Sequence, residues 1–252
     1  MSRAWPVILL CIATTLNAAT TEISFTTLDG VTVFGDVYRP DDTSKSAPLI
    51  LLFHQGGGDS RGEYGPLAPR LLAAGYNLIA IDQRRGGERF DGVNRTLQGV
   101  GDAEYSYCDV MPDLEGALAF ARSEGFTGPT AAWGSSYSAA LIFKLAVDHP
   151  DEIDAVIAFS AASGEPMTGC MPEQYSAAVP QPVLALRPAR EMEVPYVPGQ
   201  MALFDEQGHQ TYVADPGVHG SSMLNADRVG APTDETWRVV LQFLDDSLNP
   251  EH

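Results

Sequence analysis

A serine hydroxyl attacks a carbonyl only when a base takes its proton and a carboxylate steadies that base. Ser136 is the residue best placed for the first role. It stands in Gly134-Ser135-Ser136-Tyr137-Ser138, between an apolar run ending in Trp133 and a helical run over residues 139–146. A serine at a sharp strand-to-helix turn exposes its oxygen beside the N–H groups of the helix start. Such a turn is tight, so the residues two before and two after the nucleophile must be small. Ser136 meets this with Gly134 and Ser138, whereas Ser135 is flanked by Trp133 and Tyr137. Ser138 has small neighbours too, but lies past the turn, inside the helix. The pattern is G-x-S-x-S and not G-x-S-x-G, so alone it also describes a serine-rich helix start.

Of five histidines, position along the chain separates one. His149 follows the elbow helix in Asp148-His149-Pro150, away from the strand ends, and reads as a surface residue. His209 precedes the last strand, at its wrong end, and His252 is terminal. His54 sits at a correct strand end but before three glycines, where it braces that loop. His219, in Gly217-Val218-His219-Gly220 just after the last strand, is the expected base. For the acid, Glu191 and Glu193 both follow the strand ending near Leu186, and Glu165 follows the strand before it.

These residues need a frame that brings strand ends together. Residues 22–28 and 31–38 read as two strands joined at Asp29-Gly30, a hairpin signal. The run Leu49-Ile50-Leu51-Leu52-Phe53 is apolar on both faces, as an interior strand of a covered sheet should be, and leads into His54-Gln55-Gly56-Gly57-Gly58. Further buried strands are expected at 78–81, 155–159, 183–186 and 211–214. Helices are expected at 67–74, 109–122 and 235–247, and a long aromatic loop at 88–107. Alternating strands and helices imply an α/β domain with a mostly parallel sheet and helices on both faces. Ligands bind such folds at the carboxyl ends of the strands, where His54, Ser136 and the segments after Leu186 and Ala214 all fall. Residues 161–181 are too few and too Pro-rich for a large cap domain.

With these motifs in view, the chain from about Thr21 onward resembles the α/β-hydrolase superfamily, and within it the dienelactone-hydrolase-like esterases. The resemblance rests on the His54-Gln55-Gly56-Gly57-Gly58 loop, the strand end Ile81-Asp82-Gln83-Arg84, the elbow, and the order Ser136, acid, His219. Members often carry an acid followed two residues later by Val-Pro, and Glu191 precedes Met192-Glu193-Val194-Pro195, which favours Glu191. Ser138 in place of the last glycine and Glu in place of Asp are departures. A serine nucleophile argues against dienelactone hydrolysis itself, which uses cysteine. The resemblance implies that Ser136 attacks an ester carbonyl, His219 takes its proton and Glu191 stabilises the imidazolium. The backbone N–H of Tyr137 and one from Gln55 or Gly56 would hold the oxyanion. No cofactor is implied. A peptidase or other acyl hydrolase on the same triad, and a non-catalytic binding protein that kept the fold, are the alternatives.

Composition bounds the setting. Residues 1–19 read as a signal peptide: Arg3 gives the positive n-region, residues 7–13 the apolar segment, and Leu16-Asn17-Ala18 the cleavage site. Its apolar run is shorter than the roughly 20 residues that span a bilayer. Bulky Leu9 and Leu10 before Cys11 argue against a lipoprotein signal. The remainder, 20–252, is expected to be one domain, secreted or periplasmic, with no insertion of the mature chain into a membrane. Losing Arg3, the leader's only charged residue, takes the formal charge from −18 to −19, which repels nucleic acid and anionic lipid. The expected partner is a small-molecule ester. Cys108 and Cys170 remain as an even pair in an oxidising compartment, on loops after strands at one edge of the sheet, and are expected to be linked.

Overall fold

The computed structural model describes residues 18–40, 43–101 and 103–249. Most of the expected leader, residues 1–17, lies outside the described residues, and the first strand opens at Ala18. The strands are β1 (Ala18–Thr26), β2 (Thr32–Pro40), β3 (Leu49–Phe53), β4 (Asn77–Asp82), β5 (Thr130–Ser135), β6 (Ala155–Phe159), β7 (Val183–Pro188) and β8 (Gln210–Ala214). They form an eight-stranded sheet in the order β1-β2-β4-β3-β5-β6-β7-β8. β2 runs antiparallel to both β1 and β4, and all other pairs are parallel. The helices are α1 (Ser60–Tyr64), α2 (Ala68–Ala73), α3 (Leu97–Val100), α4 (Met111–Ser123), α5 (Tyr137–Asp148), α6 (Val197–Glu206), α7 (Ala226–Val229) and α8 (Asp234–Leu248). This is the α/β-hydrolase fold.

Alternation along a strand explains why β3 is apolar throughout. Successive side chains point to opposite faces, and both faces are covered. Leu49, Leu51 and Phe53 pack with α4, α5 and α6, whereas Ile50 and Leu52 pack with α2 and α8. The same split divides Ile79 and Ile81 from Leu78 and Ala80 in β4. The site therefore stands on strands that have no freedom to tilt toward solvent.

Two differences from the expected elements have physical causes. The hairpin turn is longer than Asp29-Gly30, because Thr27 N–H donates to Val31 O at 2.9 Å and closes a wider loop. Helix α6 was not anticipated: Pro198 and Gly199 in its first turn read as breakers, but a proline near a helix start loses no intrahelical bond. Residues 161–181 make three short 3-10 turns and no cap domain. Cys108 and Cys170 are joined in a disulfide with Cα atoms 5.7 Å apart, tying the start of α4 to that segment.

Candidate active site

The elbow forms because small residues surround Ser136. Its backbone lies at φ 62°, ψ −116°, a left-handed conformation that non-glycine residues hold only under constraint. Two hydrogen bonds impose it: Ser136 N–H donates to Phe159 O at 2.8 Å, and Ala162 N–H to Ser136 O at 3.0 Å. A Cβ at Gly134 would stand 2.6 Å from the backbone of Ala139, so the helix could not leave the strand at this angle. The three neighbouring serines part company here. Ser135 and Ser138 are buried, and Ser136 alone is partly exposed.

The loop after β8 docks on the back of this turn. Ser221 N–H donates to Ser135 Oγ at 3.0 Å, Gly220 N–H to Ser160 Oγ at 3.0 Å, and Trp133 Nε1–H to Ser221 Oγ at 2.8 Å. Those contacts bring His219 beside the elbow. Its Nδ1 is bonded to Glu191 Oε1 at 2.6 Å, which leaves Nε2 for a reacting group. Glu191 lies on the 3-10 turn Ala189–Glu193 after β7, and its Oε2 accepts from Arg187 at 2.8 Å. Burial pushes the Glu191 carboxyl up, but hydrogen bonds from His219 and Arg187 overcome this and hold it at about 2. Glu193 and Glu165 are exposed, so the geometry brings Glu191, and neither alternative, to the histidine.

Sequence reasoning missed Arg187. It is buried at the end of β7, with Nη2 donating to Ala161 O and to Gln200 Oε1 of α6. Its signal was a charged residue closing an apolar strand four positions before an acid. The other histidines sit where their neighbours need them. His54 is fully buried, His209 Nε2–H donates to Ser176 O at 2.8 Å, and His149 pairs with Glu152.

The oxyanion candidates divide. Among the described residues, the N–H groups of Tyr137 and Gly56 have no hydrogen-bond acceptor. The Gln55 N–H instead donates to Glu63 Oε2 at 2.8 Å. Of the two expected alternatives, the Gln55 amide is thus committed to a buried carboxyl, and the Gly56 N–H is the one without an acceptor among the described residues.

Beside His219 opens a cavity of about 340 Å³, lined among others by Gln55, Arg89, Phe90, Arg190 and Arg228. The 88–107 loop supplies part of its wall. Phe90 lies under the Arg228 guanidinium at 3.6 Å, and Tyr107 stacks on Tyr137 with ring centres 4.7 Å apart. Tyr105 is set back, over Arg84. Among the described residues Arg89, Arg190 and Arg228 have no carboxylate partner within ion-pair distance, whereas Arg61, Arg84, Arg95 and Arg187 all do. A larger cavity, about 580 Å³, lies between β1 and α4 and contains none of these groups.

A strand-end elbow, an acid–histidine pair in that chain order and an eight-stranded sheet of this topology define an α/β-hydrolase. The chain belongs to the Hydrolase_4 family, described as serine aminopeptidase, S33, which matches residues 44–226. No curated protein matches the chain in sequence. Among solved structures it is similar to an esterase of Pyrococcus furiosus, with 16% identity, TM-score 0.70, and 96% and 98% of the two chains covered. A cold-adapted esterase from an Arctic intertidal metagenomic library is 25% identical, with TM-score 0.65 and 93% and 96% covered. A putative dienelactone hydrolase from Klebsiella pneumoniae is 18% identical, with TM-score 0.67 and 89% and 98% covered.

Proposed function

We propose that the protein is a secreted serine hydrolase that cleaves carboxylic esters of small substrates through an acyl-enzyme. Ser136 Oγ attacks the carbonyl carbon as its proton passes to His219 Nε2. Glu191, ionised and held by Arg187, keeps Nδ1 protonated and stabilises the imidazolium. The N–H groups of Tyr137 and Gly56 receive the oxyanion. Collapse expels the alcohol, which takes the proton from His219, and water then attacks the acyl-serine by the same route. The observation that carries this reading is the 2.6 Å bond from His219 to Glu191 on a loop docked against the elbow.

The family's description suggests an aminopeptidase as the second reading. An enzyme that grips a free α-ammonium group needs a carboxylate to face it. The charged side chains at the cavity beside His219 are arginines, which favours the ester reading. Secretion is supported by the apolar leader and by the Cys108–Cys170 disulfide. Among the described residues no helix is long and apolar enough to cross a membrane.

Hydrolysis of p-nitrophenyl acetate tests the proposal, with fluorophosphonate labelling as a second readout. Ser136→Ala is expected to abolish both, and Ser135→Ala to leave most of the activity. Loss in Ser135→Ala alone, with the fold intact, would overturn the assignment, as would hydrolysis of amino-acid p-nitroanilides in preference to esters.

A further inference from the structure

Two buried polar side chains that take no part in the proposed chemistry converge on the backbone of residues 54–56. Ser138 stands where the superfamily motif has its last glycine. Its Oγ lies 2.6 Å from Phe53 O and 2.9 Å from His54 O, and accepts from Ser135 N–H at 3.0 Å. The hydroxyl thus bonds the elbow to the exit of β3. Glu63, on α1, has no exposed surface, and its Oε2 accepts the Gln55 N–H at 2.8 Å. The one Ser138 proton faces three oxygens, Phe53 O, His54 O and Ser135 O, and Phe53 O already accepts from Tyr64 O–H at 2.6 Å. Given to His54 O, that proton grips the oxygen of the 54–55 peptide while Glu63 holds its N–H.

The next peptide is held by its oxygen. Gln55 O lies 2.9 Å from His54 Nδ1 and accepts from Gly58 N–H at 3.1 Å. His54 Nε2 accepts from Gln83 N–H at 2.9 Å, so the ring proton is on Nδ1 and is donated. In a planar trans peptide the N–H points opposite the C=O. Anchoring Gln55 O therefore fixes the direction of the Gly56 N–H. Helix α1 is itself anchored, since Ser60 N–H and Oγ–H both donate to Asp82, which also pairs with Arg95.

We propose that Glu63 and Ser138 are positioning residues that clamp the 54–55 peptide and so present the Gly56 N–H to the oxyanion, a role that rests on Ser136 being the nucleophile. Glu63 acts as a neutral acid. Burial pushes its carboxyl up against the opposing pull of Ser135, the Gln55 N–H, Arg228 and His219, the groups that face it. Its Oε1 is buried without a partner among the described residues, which suits a carboxylic acid far better than a carboxylate. A glutamine has the same shape and keeps the accepting oxygen.

The test is steady-state kinetics on Ser138→Gly, Glu63→Gln and Glu63→Ala, with affinity for a trifluoromethyl ketone that mimics the tetrahedral adduct. Ser138→Gly restores the superfamily motif and adds no bulk, so it folds even where Glu63→Ala does not. Ser138→Gly and Glu63→Ala are expected to lose about tenfold to a hundredfold in kcat, with KM changed by less than about threefold, as befits a misplaced oxyanion donor. Ketone affinity should fall in parallel, and Glu63→Gln should stay within about threefold of the parent. A Ser138→Gly enzyme with parental kcat, a loss confined to KM, or equal losses in Glu63→Gln and Glu63→Ala would overturn the clamp. If Ser136→Ala stays active, the nucleophile assignment fails first. Parental kcat in Ser138→Gly beside an inactive Ser136→Ala would refute the clamp alone.

Discussion

Glu191 is the residue on which the acid–base pair depends, and two neighbours decide its state. Burial pushes its carboxyl up, but Arg187 and His219 both donate to it, at 2.8 Å and 2.6 Å, and hold its pKa at about 2. Glu191→Gln keeps the shape but removes the charge that, in the proposed mechanism, stabilises the imidazolium. Turnover is expected to fall by up to about 10⁴-fold, the order seen when a triad loses its carboxylate. Glu193→Gln and Glu165→Gln are expected to change it little, because both side chains are exposed. The same carboxyl makes stability depend on pH. Its folded value lies below the ordinary 4.5, so the stabilisation is complete above that value and is lost as pH falls toward 2. The gap in melting temperature between the parent and Glu191→Gln should therefore narrow over that interval. A gap that widens on acidification would show that Glu191 is not ionised in the folded protein.

At the level of elements, the disulfide joins the two segments that flank the site. Cys108 precedes α4 at the end of the aromatic loop, and Cys170 lies among the short turns after β6, 62 positions along the chain. Closing a loop of that size restricts the unfolded chain by roughly 4 kcal/mol in the entropy account. A Cys108→Ser, Cys170→Ser double variant should unfold at lower denaturant concentration by a corresponding margin, with p-nitrophenyl acetate turnover retained, since neither cysteine touches the elbow. Equal midpoints for the two proteins would show that the unfolded chain gains nothing from release. The pairing was legible in the sequence because only two cysteines follow the expected leader, which leaves one partner each. The strands were legible because β3 and β4 are covered on both faces and carry unbroken apolar runs. Helix α6 was not, since Pro198 and Gly199 resemble a loop until a packed helix is seen behind them. Arg187 was legible only as a charge closing the apolar run of β7 four positions before Glu191, a signal that was passed over. Glu63 was illegible, because it follows no apolar run and its partner is the backbone N–H of Gln55.

Across the whole molecule the charge is lopsided: a chain with 33 acidic and 15 basic residues gathers at the cavity beside His219 three arginines that have no carboxylate partner among the described residues. Such a mouth attracts anions and repels ammonium groups, and the field inside a cleft is stronger than over open surface. The mono-p-nitrophenyl ester of glutarate should therefore be hydrolysed with higher kcat/KM than the valerate ester of the same length. Added salt should shrink the difference by screening, and a ratio indifferent to salt would remove the electrostatic cause. The size of the cavity sets a second limit. At about 340 Å³ it is near the lower end for small-molecule sites, and residues 161–181 build no lid over it. A methylene adds about 0.8 kcal/mol only where dry apolar surface receives it, and here three guanidinium groups share the walls with Phe90 and Val218. Across p-nitrophenyl esters, kcat/KM is expected to peak between acetyl and butyryl and to decline toward palmitoyl, with no jump as substrate passes its aggregation point. A steady rise through ten carbons or more would require a deep apolar tunnel, and the ester reading would then become that of a lipase.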